Sequence, residues 1–170
     1  MPKGMQAIYT LNVVATSPTV TFNNIPQNYT DLLIKISARS NVSAANSEMY
    51  ITHNGDLGSN YSTTWLTGNG STAGSARGSN NGAVVTIQIN GATSTSNTFG
   101  SIDVYTPNYT SSLLKQSIVD GVIENNTTAY DSRLISYLYR SNAPLTSVTF
   151  TAVGGGFVTG STFTLYGISR

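Results

Sequence analysis

The sequence predicts an all-β protein: an antiparallel β-sandwich, of jelly-roll type, with about ten strands. Three observations carry this prediction. Apolar and polar residues alternate in run after run, the period-2 pattern of strands with one buried face. The runs are separated by turn signals rich in Asn, Gly and Pro. No segment keeps a long 3.6-residue apolar period bounded by caps.

The first run, Gln6 to Val14, sets Ile8 and Thr10 against Tyr9, Leu11 and Val13, and Thr19 to Phe22 is a short second strand. Asp31 to Ser40 alternates most clearly, with Leu32, Ile34, Ile36 and Ala38 on one face and Leu33, Lys35, Ser37 and Arg39 on the other. Met49 to His53 places Met49, Ile51 and His53 together. Further candidate strands are Ala83 to Asn90, Thr98 to Thr106, Leu113 to Glu124, Arg133 to Arg140, Leu145 to Val153 and Ser161 to Ile168. Turns are expected at Asn23-Asn24-Ile25-Pro26, Asn54-Gly55-Asp56, Pro107-Asn108, Asn125-Asn126 and Gly154-Gly155-Gly156. Asn54-Gly55 is the sharpest, because both residues tolerate positive φ and so suit a type I′ hairpin. Asn90 to Asn97 reads as a small-polar connector. Leu57 to Gly82 resists assignment: it is dense in Gly, Ser, Thr and Asn yet holds Tyr61, Trp65, Leu66 and Arg77. It is read as a loop, pinned by its large side chains or displayed for contact, with short helical turns possible around Tyr61 to Leu66. No repeat, linker or charge block divides the chain, so a single domain over residues 1–170 is expected, with Met1 to Met5 as a short flexible N-terminal arm.

Composition narrows the function. Only 9% of residues are charged, against about a quarter in ordinary soluble domains. Ser, Thr, Asn and Gly stand in their place. Neutral hydrogen-bonding groups are well solvated, and burying them against a partner costs far less than burying ions. Hydrophobic residues make up 39% of the chain, enough for one packed core. The net charge is +1 and no basic cluster occurs, so nucleic acid is not an expected partner. No apolar run is long enough to span a membrane as a helix, and the N-terminus lacks the apolar run of a secretory signal. With no cysteine, disulfides, thiolate catalysis and thiolate metal sites are all excluded.

The residue types that carry chemistry are sparse. His53 is the sole histidine, so a Ser-His-Asp arrangement would have to use it. Its place before Asn54-Gly55 suggests a strand-end side chain bonding its own turn. Asp120 and Glu124 would share a strand face, with Asp131 beyond the next turn. Such acids could bind calcium or act as a hydrolytic pair, but they read more simply as surface acids near a turn. Gly154-Gly155-Gly156 lacks the Lys-Ser/Thr of a phosphate loop and reads as a hairpin loop. Tyr29, Tyr61 and Tyr109 each follow Asn and precede Thr or Ser; Tyr130, Tyr137 and Tyr139 lie near Arg133 and Arg140. Tyrosines of this kind either pack the sheet or, with Arg, form a contact surface that also suits sugar stacking. The candidate contact residues are Tyr61, Trp65, Arg77 and Tyr109. No catalytic residue, cofactor or metal ligand is expected, and the protein is not expected to be an enzyme.

Four blocks resemble small structural proteins of tailed bacteriophages. They are Phe22 to Ile34 (FNNIPQNYTDLLI), Asn54 to Ser62 (NGDLGSNYS), Phe99-Gly100-Ser101-Ile102 followed by Pro107-Asn108-Tyr109, and the ending Phe157 to Ile168 (FVTGSTFTLYGI). Together they run from about Tyr9 to Ile168. The resemblance implies a virion protein of β-sandwich build, found alone as a capsid decoration (cement) protein or at the tips of tail fibres and spikes. The expected role is therefore an outer capsid decoration protein that binds neighbouring copies of the major capsid protein and self-associates, as a homotrimer. The chain supports this by its apparent completeness at 170 residues, with no room before the first strand for a tail anchor. The alternative is a tail-fibre or tailspike module that recognises a host surface glycan through its Tyr- and Trp-bearing loops.

Overall fold

The computed structural model describes residues 4–126 and 130–169. These form twelve strands: β1 Gly4–Asn12, β2 Thr19–Phe22, β3 Asp31–Ala38, β4 Asn46–His53, β5 Tyr61–Gly68, β6 Ala73–Asn81, β7 Val84–Asn90, β8 Gly100–Thr106, β9 Lys115–Ile123, β10 Asp131–Tyr139, β11 Val148–Ala152 and β12 Thr162–Ser169. There is no helix among the described residues. Eight strands make one sheet in the order β1-β12-β3-β8-β9-β10-β5-β6, and four make a second in the order β2-β11-β4-β7. Every neighbouring pair in both sheets is antiparallel. The all-β, antiparallel sandwich is thus the architecture. A jelly roll divides eight strands through two Greek keys; eight strands against four is a different division, so the molecule is described here only as a two-sheet sandwich.

The alternation read from the sequence sets the inner faces. β3 buries Leu32, Ile34, Ile36 and Ala38 and exposes Lys35 and Ser37. β8 buries Ile102, Val104 and Thr106, and β11 buries Val148, Phe150 and Ala152. With Met49 and Ile51 of β4, Ile87 and Ile89 of β7, and Phe163 and Leu165 of β12, they form one core between the sheets.

Three expectations are corrected. The segment Leu57 to Gly82 is a β-hairpin, β5–β6, with no helical turn. β5 alternates with period 2, turning Tyr61, Thr63, Trp65 and Thr67 inward, but Thr carries half of the inward positions and weakens the hydropathy signal. β6 carries no large apolar residue and is defined by its pairing to β5. Gly4 and Met5, expected within a flexible N-terminal arm, belong to β1 and pair with Ser169 and Ile168; Met1, Pro2 and Lys3 lie outside the described residues. Asn54-Gly55 does adopt positive φ at both positions (53° and 68°), and the Asp56 amide donates to His53 O at 2.9 Å. The turn does not join paired strands, however. It carries the chain from β4 in the small sheet to β5 in the large one. The Asn54 side chain fixes this crossover by accepting from the Thr146 and Ser147 amides (2.8 and 3.1 Å) and donating to Pro144 O (2.9 Å).

Gly167 on β12 has a single structural reason. The Tyr29 ring lies where its Cβ would be, at 2.3 Å, and the Tyr29 hydroxyl donates to Gln6 Oε1 at 3.2 Å. Gly167→Ala is expected to destabilise the fold by about 1–3 kcal/mol through overpacking. Thermal denaturation checks this, and the double variant with Tyr29→Ala should lose less than the sum of the two single losses.

Candidate contact surface

The structure does not bring the four candidate contact residues together. Tyr61 and Tyr109 are 0% exposed, so neither lies on a surface of the folded chain. Each is a core tyrosine whose hydroxyl donates to a backbone carbonyl, Asp56 O for Tyr61 (3.1 Å) and Pro26 O for Tyr109. Burial raises both phenols above their ordinary pKa. Trp65 is half-buried and packs against the core from the inner face of β5. Arg77 is exposed on β6 opposite Thr64, on the other face of the hairpin. Of the two readings of the Asn-Tyr-Thr/Ser tyrosines, packing holds for Tyr61, at the start of β5, and for Tyr109, both buried, while Tyr29 is partly buried.

His53 belongs to a buried polar cluster and does not bond its own turn through its side chain. Its Nε2 lies 2.9 Å from the Tyr137 hydroxyl, which comes from the opposite sheet, and its amide donates to the Tyr61 hydroxyl at 2.9 Å. The ring stacks on Tyr137 (5.6 Å between centroids) and abuts Tyr139 (5.3 Å), which itself stacks on Tyr61 (4.9 Å). Nδ1 has no hydrogen-bond partner among the described residues. Lys115, also buried, donates its Nζ protons to Ser111 O (2.8 Å) and Leu113 O. Burial first, then the Lys115 charge, push the His53 pKa from 6.5 down to about 3, so the ring is neutral at pH 7. Burial also lowers the Lys115 pKa. The cluster joins the sheets. A neutral imidazole held by one tyrosine, with no acid oriented on it, lacks the parts of a nucleophilic triad.

The acids do not converge either. Among the described residues no group of three or more His, Cys, Asp or Glu could hold a metal ion. Glu124 accepts from the Asn125 and Asn126 amides (2.9 and 2.8 Å), a local turn contact. Asp120 lies on the outer face of β9, opposite Asp103 on β8. Asp103 pairs with Lys35 at 2.6 Å.

The outer face of the large sheet holds a feature that the sequence reading missed. Leu66, Ile118, Val122 and Leu134 are 57, 48, 45 and 49% exposed there. Leu134 stands directly opposite Leu66 across the β10–β5 pair, and opposite Asp120 across the β10–β9 pair, which makes Ile118 and Val122 its diagonal neighbours. The outer positions around them are Ser132, Ser136, Thr64 and Gln116, together with the charged Asp120 between Ile118 and Val122 and Arg77 opposite Thr64. Leu113 and Leu114 extend the exposed apolar surface into the loop before β9. An apolar stripe in a mainly hydroxyl-bearing surface, with Asp120 as the charge at its centre, gains about 25 cal/mol per Å² covered, less the cost of drying that carboxylate. The signal was present as adjacent apolar pairs, Trp65-Leu66, Ile118-Val119, Val122-Ile123 and Leu134-Ile135. In a strand, each pair places one apolar residue on each face.

A shallow polar cleft lies at one end of the β5–β6 hairpin, beside exposed Tyr130 and the side chains of Asn46, Asp131 and Arg133. Arg133 Nε donates to Asp131 Oδ2 (2.6 Å), Thr67 donates to Asp131 Oδ1 (2.6 Å), and Arg133 Nη1 donates to Thr86 O (2.6 Å). Arg140 lies elsewhere, donating to Asn80 Oδ1 at 2.7 Å and to Ser59 O. Comparison with known proteins finds no matching family model, no matching curated protein and no matching solved structure.

The buried cluster generates a pH prediction. His53 binds a proton near pH 6.5 when unfolded and only near pH 3 when folded, so its contribution is complete above about pH 6.5 and is lost as pH falls toward 3. Burial raises the Tyr61, Tyr137 and Tyr139 phenols, away from that window, and the bond from Asn60 holds Asp56 below its ordinary pKa. Melting temperature against pH is expected to fall between pH 6.5 and 4. His53→Gln should flatten that fall while lowering stability at pH 8.

Proposed function

We propose that this protein is a structural component of a bacteriophage virion, an outer capsid decoration protein that binds neighbouring major capsid protein subunits and reinforces the shell. The observation that carries the reading is the apolar stripe of Leu66, Ile118, Val122 and Leu134 on the outer face of an ion-poor sheet. Such a surface fits a protein partner better than a charged ligand. The resemblance of the 22–34, 54–62 and 157–168 blocks to phage structural proteins supports the virion setting. Self-association as a homotrimer belongs to the same reading, because the large sheet leaves two strand edges uncovered. No catalytic step is part of it.

A second reading, a tail-fibre module that binds a host glycan, is favoured by one observation. The cleft beside Tyr130 combines an exposed ring with amide, carboxylate and guanidinium groups, the combination that sugars use. Cryo-electron microscopy of the particles that carry the protein separates the two. Density repeated over the icosahedral shell supports decoration, and density confined to the tail supports the fibre reading.

Leu134→Gln, which adds no charge opposite Asp120, is expected to lower occupancy on the particle by about tenfold or more while leaving the melting temperature nearly unchanged, since the side chain is half exposed. Attachment of the unaltered protein should depend weakly on salt, because few charges are available to be screened. A hundredfold loss between low and high salt would contradict this contact chemistry.

A further inference from the structure

We propose that the two open edges of the large sheet are complementary: β1 of one copy of this chain pairs antiparallel with β6 of the next, and the subunits close into a ring. This deepens the self-association part of the reading above and rests on it.

Strand polarity is the first support. All seven junctions of the eight-stranded sheet are antiparallel, so its terminal strands β1 and β6 run in opposite directions. A second copy that continues the sheet therefore sets its β1 antiparallel to β6, with the pattern unbroken. Exposure is the second. Each strand has nine residues, and nearly every one is exposed, on both faces, because the four-stranded sheet does not reach either edge. Natural edges of this length are usually blunted by Pro, Lys, inward charge or bulges. β6 has neither Pro nor Lys, its Arg77 lies on the outer face, and the bulges, at Ile8 on β1 and between Gly78 and Asn81 on β6, lie outside the 9–12 and 73–78 stretches that pair in this arrangement.

Side-chain size is the third. Across the β5–β6 pair, Gly74 opposes Thr67 and Ala76 opposes Trp65, so β6 offers only small groups beside Trp65 on the inner face. Trp65 stays half-buried although it points inward. On β1, Tyr9 opposes buried Leu165 and Leu11 opposes buried Phe163, so both face inward at the far edge, and Tyr9 is 40% exposed. Continuing the sheet lays Tyr9 and Leu11 of one copy along the Gly74–Ala76 line of its neighbour, next to Trp65. An aromatic ring across from an edge glycine is a favourable cross-strand arrangement. Pairing β6 with a second β6 would set small residues against small residues and draw two Arg77 side chains together. The β1–β6 contact is head-to-tail, which closes into rings when the rotation permits.

The chain has no cysteine, so engineered thiols report cleanly. Thr10→Cys on β1 and Ser75→Cys on β6, which face each other in this register, are each prepared alone and treated with a short bismaleimide. Neither should cross-link by itself. A mixture of the two should give covalent dimers, and the double variant should give covalent trimers. Trp65, the sole tryptophan, should shift its emission to the blue as concentration rises through assembly. Ala76→Lys should abolish that shift and raise the dissociation constant by about tenfold or more, with an unchanged far-ultraviolet circular dichroism spectrum. Cross-linking of Ser75→Cys to itself would overturn the proposal in favour of a two-fold β6 contact. A trimer by sedimentation without cross-links in the mixture would overturn it and leave self-association standing. A monomer at micromolar concentration would overturn both.

Discussion

Four phenylalanine rings hold the two sheets together, and the reach of that contact arranges the rest of the molecule. Phe22 meets Phe150 edge-on within the small sheet (6.4 Å), Phe150 crosses to Phe163 of β12 (5.3 Å), and Phe163 meets Phe157 (5.1 Å). All four are buried. They hold the β2–β11 side of the small sheet over β12, while β7 at its other side packs against β8, β9, β10 and β5. Four strands are thereby stretched over the middle of eight. The bare edges β1 and β6 follow from that mismatch, as does the half-buried state of Trp65 at the limit of coverage.

The core beneath β7 is less simple. A chain with so few ions nevertheless buries a lysine and its sole histidine within one cluster of tyrosines. The cost is limited because Lys115 Nζ donates to the carbonyls of Ser111 and Leu113, and because His53 is neutral at pH 7. Thr106 and Ser117 share a 2.9 Å hydrogen bond in the same buried layer. Polar groups of this kind pair only in particular registers, so they fix how β4, β5, β8, β9 and β10 meet, where apolar packing alone would permit slippage.

Much of the fold was legible in local alternation. Asp31 to Ser40 reads directly as β3, and Thr19 to Phe22 as β2, because large β-branched or aromatic side chains mark the inner face. β5 and β6 were not legible for two different reasons. β5 carries its period through Thr63 and Thr67, which hydropathy scores as polar, and β6 has no large apolar side chain, its inward positions being Gly74, Ala76, Gly78 and Asn81. Strand order was beyond reach, since it depends on pairings such as β3 with β12 that lie far apart in the chain. The candidate site was legible only in part. Trp65 and Arg77 do lie on the exposed hairpin, but Tyr61 and Tyr109 were misplaced because a tyrosine in a polar loop can satisfy its hydroxyl on a backbone carbonyl and turn inward. The outer stripe was written in adjacent apolar pairs such as Ile118-Val119, a signal that a search for alternation passes over.

The two contacts proposed for this molecule are compatible because they use different directions of the sheet. Edge pairing consumes backbone groups in the plane; the Leu66–Leu134 stripe projects out of it. A sheet continued from one subunit to the next keeps its outer faces on one surface, so each added copy brings another stripe to the same side. Joining several modest apolar patches on a rigid ring raises their effective concentration at a repeating partner, and avidity grows without any single strong site. An ion-poor surface suits the proposed arrangement, since Asp120 is the main charge that loses water when a patch is covered, and the strength of attachment would then come from the number of copies engaged.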